Sequence, residues 1–476
     1  MTDNSIGILA YGCYIPPTRL PLAAIRGGMV KDGGPQKAVA NFDEDAITMA
    51  VTAGADCLHD IQRELVTGLY LATTSSPFRE KQAAAFVAKA LDLPQHTETI
   101  DFSGTLRAAG AALQAAINAV RSDPKRQILV LASDARLPAP RSPLEANSGD
   151  AAAAFLIGAG SPVATLQDRV VRADELYDVW RGEHDEYVRS WEDRFNVIHG
   201  YTANVQAVCE ALLDTLSEEP GSFAGAVLYG PDARSHGGLA RKLGFRPEQV
   251  QDPWFGKVGN CGAAFGPLML VAALETAALG DRLLVALYGD GAEAMTCTVV
   301  SSQFRPKRTT DWYLQRGRAL RSYDAYLDAR HLSSTEHDPR GGDGVPATVH
   351  FRERDADISF QAQRCRRCGT VHFPACRVCY HCFAKDDFEP ERLSDRQGRV
   401  LSYSFDYFFP STEPPVIVGV CEVDNGARVY VQMADARMDQ LRCDLPVEFV
   451  FRKIHDAGNK PNYFWKSRPL ESVGEV

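Results

Sequence analysis

No stretch of the sequence approaches the ~18 consecutive apolar residues of a membrane span, so no segment is predicted to cross a bilayer. No basic region precedes the apolar residues 6–10, which are too few for a signal peptide and read instead as a first strand. Positive charge is not in excess. Lys and Arg number 51 against 61 Asp and Glu, a net charge of −10, which argues against a nucleic-acid or anionic-membrane surface. A local basic pocket for a phosphorylated ligand is still compatible with that balance. The evenly spaced cysteine framework of a small secreted domain is missing too. Of twelve cysteines, five fall between Cys365 and Cys382, and Cys13, Cys57, Cys209, Cys261, Cys297, Cys421 and Cys443 are scattered. That distribution reads as a cytoplasmic protein with one metal site.

What is present is ordinary for a globular chain: 476 residues, 45% hydrophobic and 24% charged. The length suggests about three structural units. Up to about residue 320, short apolar strands (68–73, 126–132, 151–157, 224–229, 281–288) alternate with Ala-rich helices (104–121, 236–243, 262–280). This alternation predicts a layered α/β fold, possible as two pseudo-duplicated halves over 1–165 and 166–325. Residues 333–344 are almost devoid of apolar side chains, and we place a linker over 326–355. A cysteine cluster over 356–390 follows. Short strands at 399–406, 416–424, 427–433 and 446–452 then predict a small β-barrel over 391–476.

Cys365-x2-Cys368 and Cys379-x2-Cys382 are separated by ten residues. Two such knuckles close a tetrahedron around one zinc ion, and Gly369 suits the tight knuckle turn. Cys376 is a rival because Cys376-x2-Cys379 is also a pair; Cys379 and Cys382 are preferred because they complete the ribbon spacing on both sides. Four thiolates leave no open coordination position, so the zinc holds structure.

The C-terminal quarter, with this ribbon, Phe373-Pro374 and Tyr463-Phe464-Trp465-Lys466, resembles the zinc-ribbon/OB-fold domain that accompanies thiolase-like enzymes of acyl-CoA metabolism. An OB barrel by itself would also suggest single-stranded nucleic acid, but the acidic chain shows no basic-aromatic groove. The first ~320 residues resemble the thiolase superfamily, nearest to hydroxymethylglutaryl-CoA synthases and initiating ketoacyl synthases. The segments concerned are Gly12-x-Tyr14-Ile15-Pro16, Asp43-Glu44-Asp45, Gly149-Asp150-Ala151, Gly259-Asn260 and Tyr288-Gly289-Asp290-Gly291. The resemblance implies a five-layer αβαβα fold, a homodimer and acyl-CoA substrates, with coenzyme A as part of the substrate.

The same resemblance, carried over residue by residue, leaves the family's catalytic set incomplete. Phe102 stands where its nucleophilic cysteine belongs, and neither Asp101 nor Ser103 is a cysteine. Tyr229 takes the histidine's place, Thr74 that of the synthase glutamate, and Asn260 alone matches. Claisen chemistry needs a thiolate to carry the acyl group. Aldol or retro-aldol cleavage of a 3-hydroxyacyl-CoA needs only an acid/base for the β-hydroxyl and a donor for the thioester oxygen. Tyr229 is the candidate for the first role and Asn260 for the second. Three readings follow: a cysteine-independent lyase or aldolase, a Claisen-type acyltransferase using Cys261, and a degenerate acyl-CoA-binding scaffold.

Each of these residues also has a plain structural reading. Tyr229 ends a strand and Asn260 lies in a Gly-rich turn, while Cys261 reads as a small buried residue. His236 is expected to pair with Asp232 on a helix surface. Asp43-Glu44-Asp45 is expected to complement a helix dipole. Trp191-Glu192-Asp193-Arg194-Phe195 is either a substrate-covering segment or a packed amphipathic helix.

Overall fold

The computed structural model describes residues 5–332, 346–409, 411–457 and 460–471. It divides into two compact units: Met1–Asn41, Asp45–Ala88 and Leu93–Arg330 form the first, and Phe42–Glu44, Lys89–Asp92 and His331–Val476 the second. No helix among the described residues is long and apolar enough to cross a membrane.

The first unit is built on nine strands: β1 (Ser5–Tyr14), β2 (Gly68–Ala72), β3 (Glu98–Phe102), β4 (Ile128–Asp134), β5 (Ala151–Gly160), β6 (Ala164–Ala173), β7 (Gly225–Leu228), β8 (Arg282–Tyr288) and β9 (Gly291–Val299). Their order is β7-β8-β9-β6-β1-β5-β4-β2-β3. In the first half β1 and β5 are antiparallel, as are β5 and β4, while β4, β2 and β3 run parallel. The second half repeats the pattern with β6, β9, β8 and β7. The halves meet along β1 and β6 through the single register pair Ile8↔Ala164. The duplication suspected from the alternating elements is therefore present in topology.

Four helices complete the layers. Helix α1 (Ala46–Cys57) covers β1, β5 and β4 on one outer side, and α3 (Ala203–Leu216) covers β9, β6 and β8 on the other. Between the halves lie α2 (Ala108–Ser122) and α4 (Phe265–Thr276). Helix α4 packs on strands of both halves and buries every residue from Phe265 to Leu274, as a helix walled on all sides must. This is the expected αβαβα arrangement.

In the second unit, β10 (Gln361–Cys365), β11 (Val371–His372) and β12 (Phe388–Arg392) form a three-stranded ribbon. Strands β13 (Gln397–Asp406), β14 (Val416–Val423), β15 (Arg428–Gln432), β16 (Pro446–Ala457) and β17 (Lys460–Pro469) form a sheet in the order β15-β14-β13-β16-β17. A bridge between Met433 and Ser467 brings its two edges together into a nearly closed barrel. Its core includes Phe360, Phe449, Phe451 and Trp465; the Phe360 and Trp465 rings stack at 5.7 Å, and the Trp465 indole donates to Ile358 O at 2.9 Å.

Residues 333–345 of the expected linker lie outside the described residues; flanking them are helices Tyr323–Ala329 and Ala347–Asp357. The acidic run at 43–45 is corrected. Only Asp45 serves a helix, capping α1 by accepting from Ile47 N and Thr48 N, each at 2.9 Å. Asp43 and Glu44 are buried in the second unit, paired with Lys466 at 2.9 Å and Arg452 at 3.1 Å respectively. Charge alone could not distinguish a helix-dipole role from a buried ion pair.

Candidate active site and metal centre

Parallel strands in layered α/β folds carry their ligand sites at their carboxyl ends. Here those ends deliver Thr73–Ser75 after β2, Phe102 at the end of β3, Asp134 at the end of β4, Tyr229 after β7 and Tyr288 at the end of β8. Asp134 ties several of these segments together. Its fully buried carboxylate accepts from the Thr73 hydroxyl at 3.0 Å, Thr74 N at 2.7 Å, the Thr74 hydroxyl at 2.9 Å, the Ser75 hydroxyl at 2.8 Å and Ala263 N at 2.8 Å. Five donors saturate the roughly four acceptor positions of a carboxylate, so Asp134 has none left for a substrate. Thr74, near which the synthase glutamate was expected, contributes no acid of its own and is one of these donors.

Tyr229 and Asn260 are brought together. Tyr229 is 4% exposed and Asn260 5%. The Asn260 amide is held at both ends by backbone: Nδ2 donates to Gly230 O at 2.8 Å, and Oδ1 accepts from Gly262 N at 2.9 Å. One amide N–H remains, and it acts on the Tyr229 phenol. Burial pushes that phenol up to about 12, against the Arg136 guanidinium and the Asn260 amide, which pull it down. Tyr229 is thus a protonated phenol at neutral pH. Gly262, at φ +59°, makes this close approach possible, because a Cβ there would lie 2.3 Å from Asp134 Oδ2 and 2.6 Å from Arg136 Cδ.

Around Tyr229 stands an aromatic wall that inspection of the sequence missed. The Tyr201, Tyr288 and Phe265 rings lie 6.2, 5.6 and 5.5 Å from it, and the Tyr201 hydroxyl donates to Tyr229 O at 2.7 Å. The Tyr288 hydroxyl donates to Asp178 at 2.6 Å; burial pushes the Asp178 carboxyl above its usual range. Asp134 and Arg136 were missed as well. The available signal was a pair of charged residues directly following the apolar strand at 126–132.

The position expected for a family nucleophile holds no thiol. Phe102 ends β3 with its ring 5.7 Å from Tyr70, and Asp101 is occupied in accepting from Ala83 N and Ala84 N at 2.8 and 2.7 Å. Helix α2 begins at Ala108 rather than at the expected Gly104, because residues 103–107 form a turn on which Gly289 rests and from which Arg107 donates to Gly289 O at 2.7 Å. No residue from 98 to 122 is a cysteine. Cys261 is fully buried, with its thiol directed at Gly259 O at 3.3 Å, and burial pushes it far above the usual thiol range. Cys261→Ala is accordingly expected to keep turnover within about twofold of wild type, the size of a minor packing change. Peptide mapping after incubation with a labelled acyl-CoA should find no label at position 261; label there would restore the thiol as a nucleophile.

Two neighbours behave differently from expectation. His236 is buried, and burial lowers its ionisation below the usual imidazole range, while Asp232 caps the helix Ala233–Lys242 by accepting from Ser235 N at 2.9 Å. An i,i+4 spacing allowed the surface pair, but the cap competes for the same carboxylate. The 191–195 segment is not a packed amphipathic helix. Trp191 is 67% exposed and Phe195 47% exposed, and a short helix at Asp193–Phe195 runs into a π-helix over Asn196–Thr202 that delivers the buried Tyr201.

The four cysteines of the two knuckles converge in the second unit. The Sγ atoms of Cys365, Cys368, Cys379 and Cys382 all lie within 4.8 Å of one another, with Cys365–Cys382 at 3.6 Å and Cys368–Cys379 at 3.5 Å. These separations are too long for disulfides and close to the ~3.8 Å edge of a tetrahedron with ~2.3 Å metal–sulfur bonds. Gly369, at φ +74°, turns the first knuckle and donates to Cys365 O at 2.8 Å. Cys376 lies outside the group. The residues present therefore fit a four-thiolate metal site with no open position.

Two stacked, pseudo-duplicated α/β halves with a site at their strand ends define a thiolase-like protein, here carrying a zinc ribbon and a barrel. Residues 354–389 match the family model described as "ChsH2, rubredoxin-like zinc ribbon domain". Hydroxymethylglutaryl-CoA synthase of Methanopyrus kandleri is 31% identical over 301 residues, 61% of this chain and 86% of that protein. The synthase of Pyrococcus horikoshii is 29% identical over 339 residues, 69% and 96% of the two chains. A solved HMG-CoA synthase complexed with CoA superposes with a TM-score of 0.62 at 21% identity, over 70% of this chain and 92% of that one. The chain belongs to the hydroxymethylglutaryl-CoA synthase family of thiolase-superfamily acyl-CoA enzymes.

Proposed function

We propose that the protein makes or breaks the C–C bond β to the thioester of a 3-hydroxyacyl-CoA by aldol or retro-aldol chemistry, without an acyl-enzyme. The observation that carries this reading is the buried Tyr229 phenol, held beside Asn260 at a site whose nucleophile position has no thiol. In the cleavage direction the β-hydroxyl proton passes to Tyr229 as phenolate, and the C–O bond becomes a carbonyl. The Cα–Cβ pair moves into the thioester enolate, which takes a proton at carbon from solvent, and the Tyr229 phenol gives its proton back to solvent to close the cycle. In the synthetic direction the phenol returns the proton to the forming alkoxide. Asn260 orients the Tyr229 hydroxyl with its one remaining N–H.

A Claisen-type acyltransferase is the second reading, favoured by the relatives' name. Incubating the protein with a panel of 3-hydroxyacyl-CoAs and acyl-CoAs, with products read by mass spectrometry, decides between them. Free aldehyde or ketone with a shortened acyl-CoA supports the lyase. Released CoA thiol with an extended acyl-CoA supports the transferase. Binding without turnover leaves the degenerate scaffold.

We assign the metal as Zn2+, in a structural role. We carry the homodimer in this proposal too: β3 ends the sheet with no further strand beyond it among the described residues, an edge to which a second copy can add. All twelve cysteines are free of disulfides, which supports the cytoplasm as its compartment.

A further inference from the structure

Other buried cations of the thiolase-like unit have partners. Arg308 pairs with Asp56 at 2.9 Å, Arg330 with Asp150 at 2.8 Å, and Lys37 donates to Glu145 O at 2.8 Å. Arg136 is as deeply buried, at 6% exposure, yet its guanidinium makes no hydrogen bond and no ion pair among the described residues. Leaving a buried charge unpartnered costs several kcal/mol, about what a buried ion pair loses when one member is removed. Its nearest carboxylate in sequence, Asp134, is already saturated by five donors from other groups. The side chain runs beneath Gly262, whose missing Cβ would lie 2.6 Å from Arg136 Cδ, and it is the cation that acts on Tyr229. Asn260, the residue expected to hold the thioester oxygen, has its amide committed to Gly230 and Gly262. A donor for that oxygen is missing, and an unused donor lies next to the acid/base.

We propose that Arg136 is a catalytic residue whose guanidinium holds the oxygen of the thioester enolate. The proposal rests on the C–C reaction above. As the Cα–Cβ bond breaks, its electron pair moves onto the α-carbon and thioester oxygen, and the fork of N–H donors meets the charge that develops there. The enolate forms the same way when a saturated acyl-CoA loses an α-proton to solvent. Its formation can therefore be followed without any C–C cleavage.

The test measures two rates on purified full-length protein: cleavage of 3-hydroxyacyl-CoAs, and deuterium uptake at the α-carbon of a saturated acyl-CoA in D2O, read by mass spectrometry. Arg136→Met keeps the length and removes the charge; Arg136→Lys keeps the charge and loses the fork. Since Arg136 has no protein hydrogen bond to lose, both should fold, with Arg136→Gln as a further neutral variant. Arg136→Met is expected to lower both rates by about 10²–10³-fold, the range for removing one oxyanion donor, with KM changed by less than about threefold. Arg136→Lys should recover at least about tenfold of that loss. Undiminished exchange in the folded Met or Gln variant overturns the proposal. So does a loss confined to KM, which would make Arg136 an anchor for an anionic substituent. Wild-type protein that exchanges but does not cleave removes the C–C reading and leaves the Arg136 proposal standing; wild type that does neither overturns both.

Discussion

Tyr229→Phe is expected to lower kcat by about 10²–10⁴-fold on a confirmed substrate while leaving folding and KM near wild type. The substitution keeps the ring and its contacts with Tyr201, Tyr288 and Phe265 and removes only the hydroxyl. The loss to stability is small, about 1 kcal/mol or less, because only the hydroxyl is removed. The pH dependence reports the phenolate. With the phenol pushed up to about 12, only about one molecule in 10⁵ carries the phenolate at pH 7. Cleavage, which needs the phenolate, should therefore rise about tenfold per pH unit through the neutral range. Synthesis should rise in parallel, because the overall reaction takes up or releases no proton and its equilibrium constant does not change with pH. Arg136 and Asn260 lower this ionisation, while Asp178 and Asp134 raise it. In Arg136→Met the ionisation moves further up, and in Tyr229→Phe the slope disappears. Wild-type turnover in Tyr229→Phe would make the tyrosine a packing residue and move the search to Tyr288 and its partner Asp178.

Cys365→Ser is expected to abolish stoichiometric metal binding and unfold the ribbon over 354–389. Metal affinity and folding are one free energy in small metal-held domains, of order 10–16 kcal/mol for structural zinc sites at neutral pH. The ribbon gives the reason: three short strands surround a four-sulfur cluster. Removing one ligand opens the tetrahedron and leaves three thiolates whose mutual repulsion no longer has a cation to offset it. Elemental analysis and ribbon-specific proteolysis follow the two effects. Cys376→Ser should keep one metal per chain, because that thiol lies outside the group. Metal loss in Cys376→Ser with retention in Cys382→Ser would show that the ligand set is 365, 368, 376 and 379. Wild-type protein purified without chelators and free of metal would remove the site altogether.

Much of the molecule was legible before folding was considered. The knuckles were readable because all four ligands lie within eighteen residues, Cys365 to Cys382, so local spacing sets their geometry. The layered α/β class followed from alternating strands and helices. The all-round apolar run now forming α4 marked a helix that had to be walled in. The missing thiol was equally plain, since no tertiary contact can create a cysteine between residues 98 and 122. Strands β3, β6, β9 and β17 were not predicted, nor were the short strands of the ribbon.

What the sequence by itself determined is therefore the inventory: a four-cysteine ribbon, an alternating α/β frame, and the expectation of a tyrosine and an asparagine at the site, with no cysteine between residues 98 and 122. Tertiary structure alone decided which side chains are spent and which are available. Asp134 and Arg136 are two residues apart, and both read simply as charged residues in the sequence. Folding gives the carboxylate five donors from the 73–75 and 263 segments and gives the guanidinium no acceptor among the described residues. Asn260 likewise has its amide taken up by Gly230 and Gly262. The reason is that hydrogen-bond satisfaction of a buried group depends on partners that folding brings from other segments, about sixty and 129 residues away in the case of Asp134. Its cost or availability is set by burial, and neither quantity has a local pattern to read.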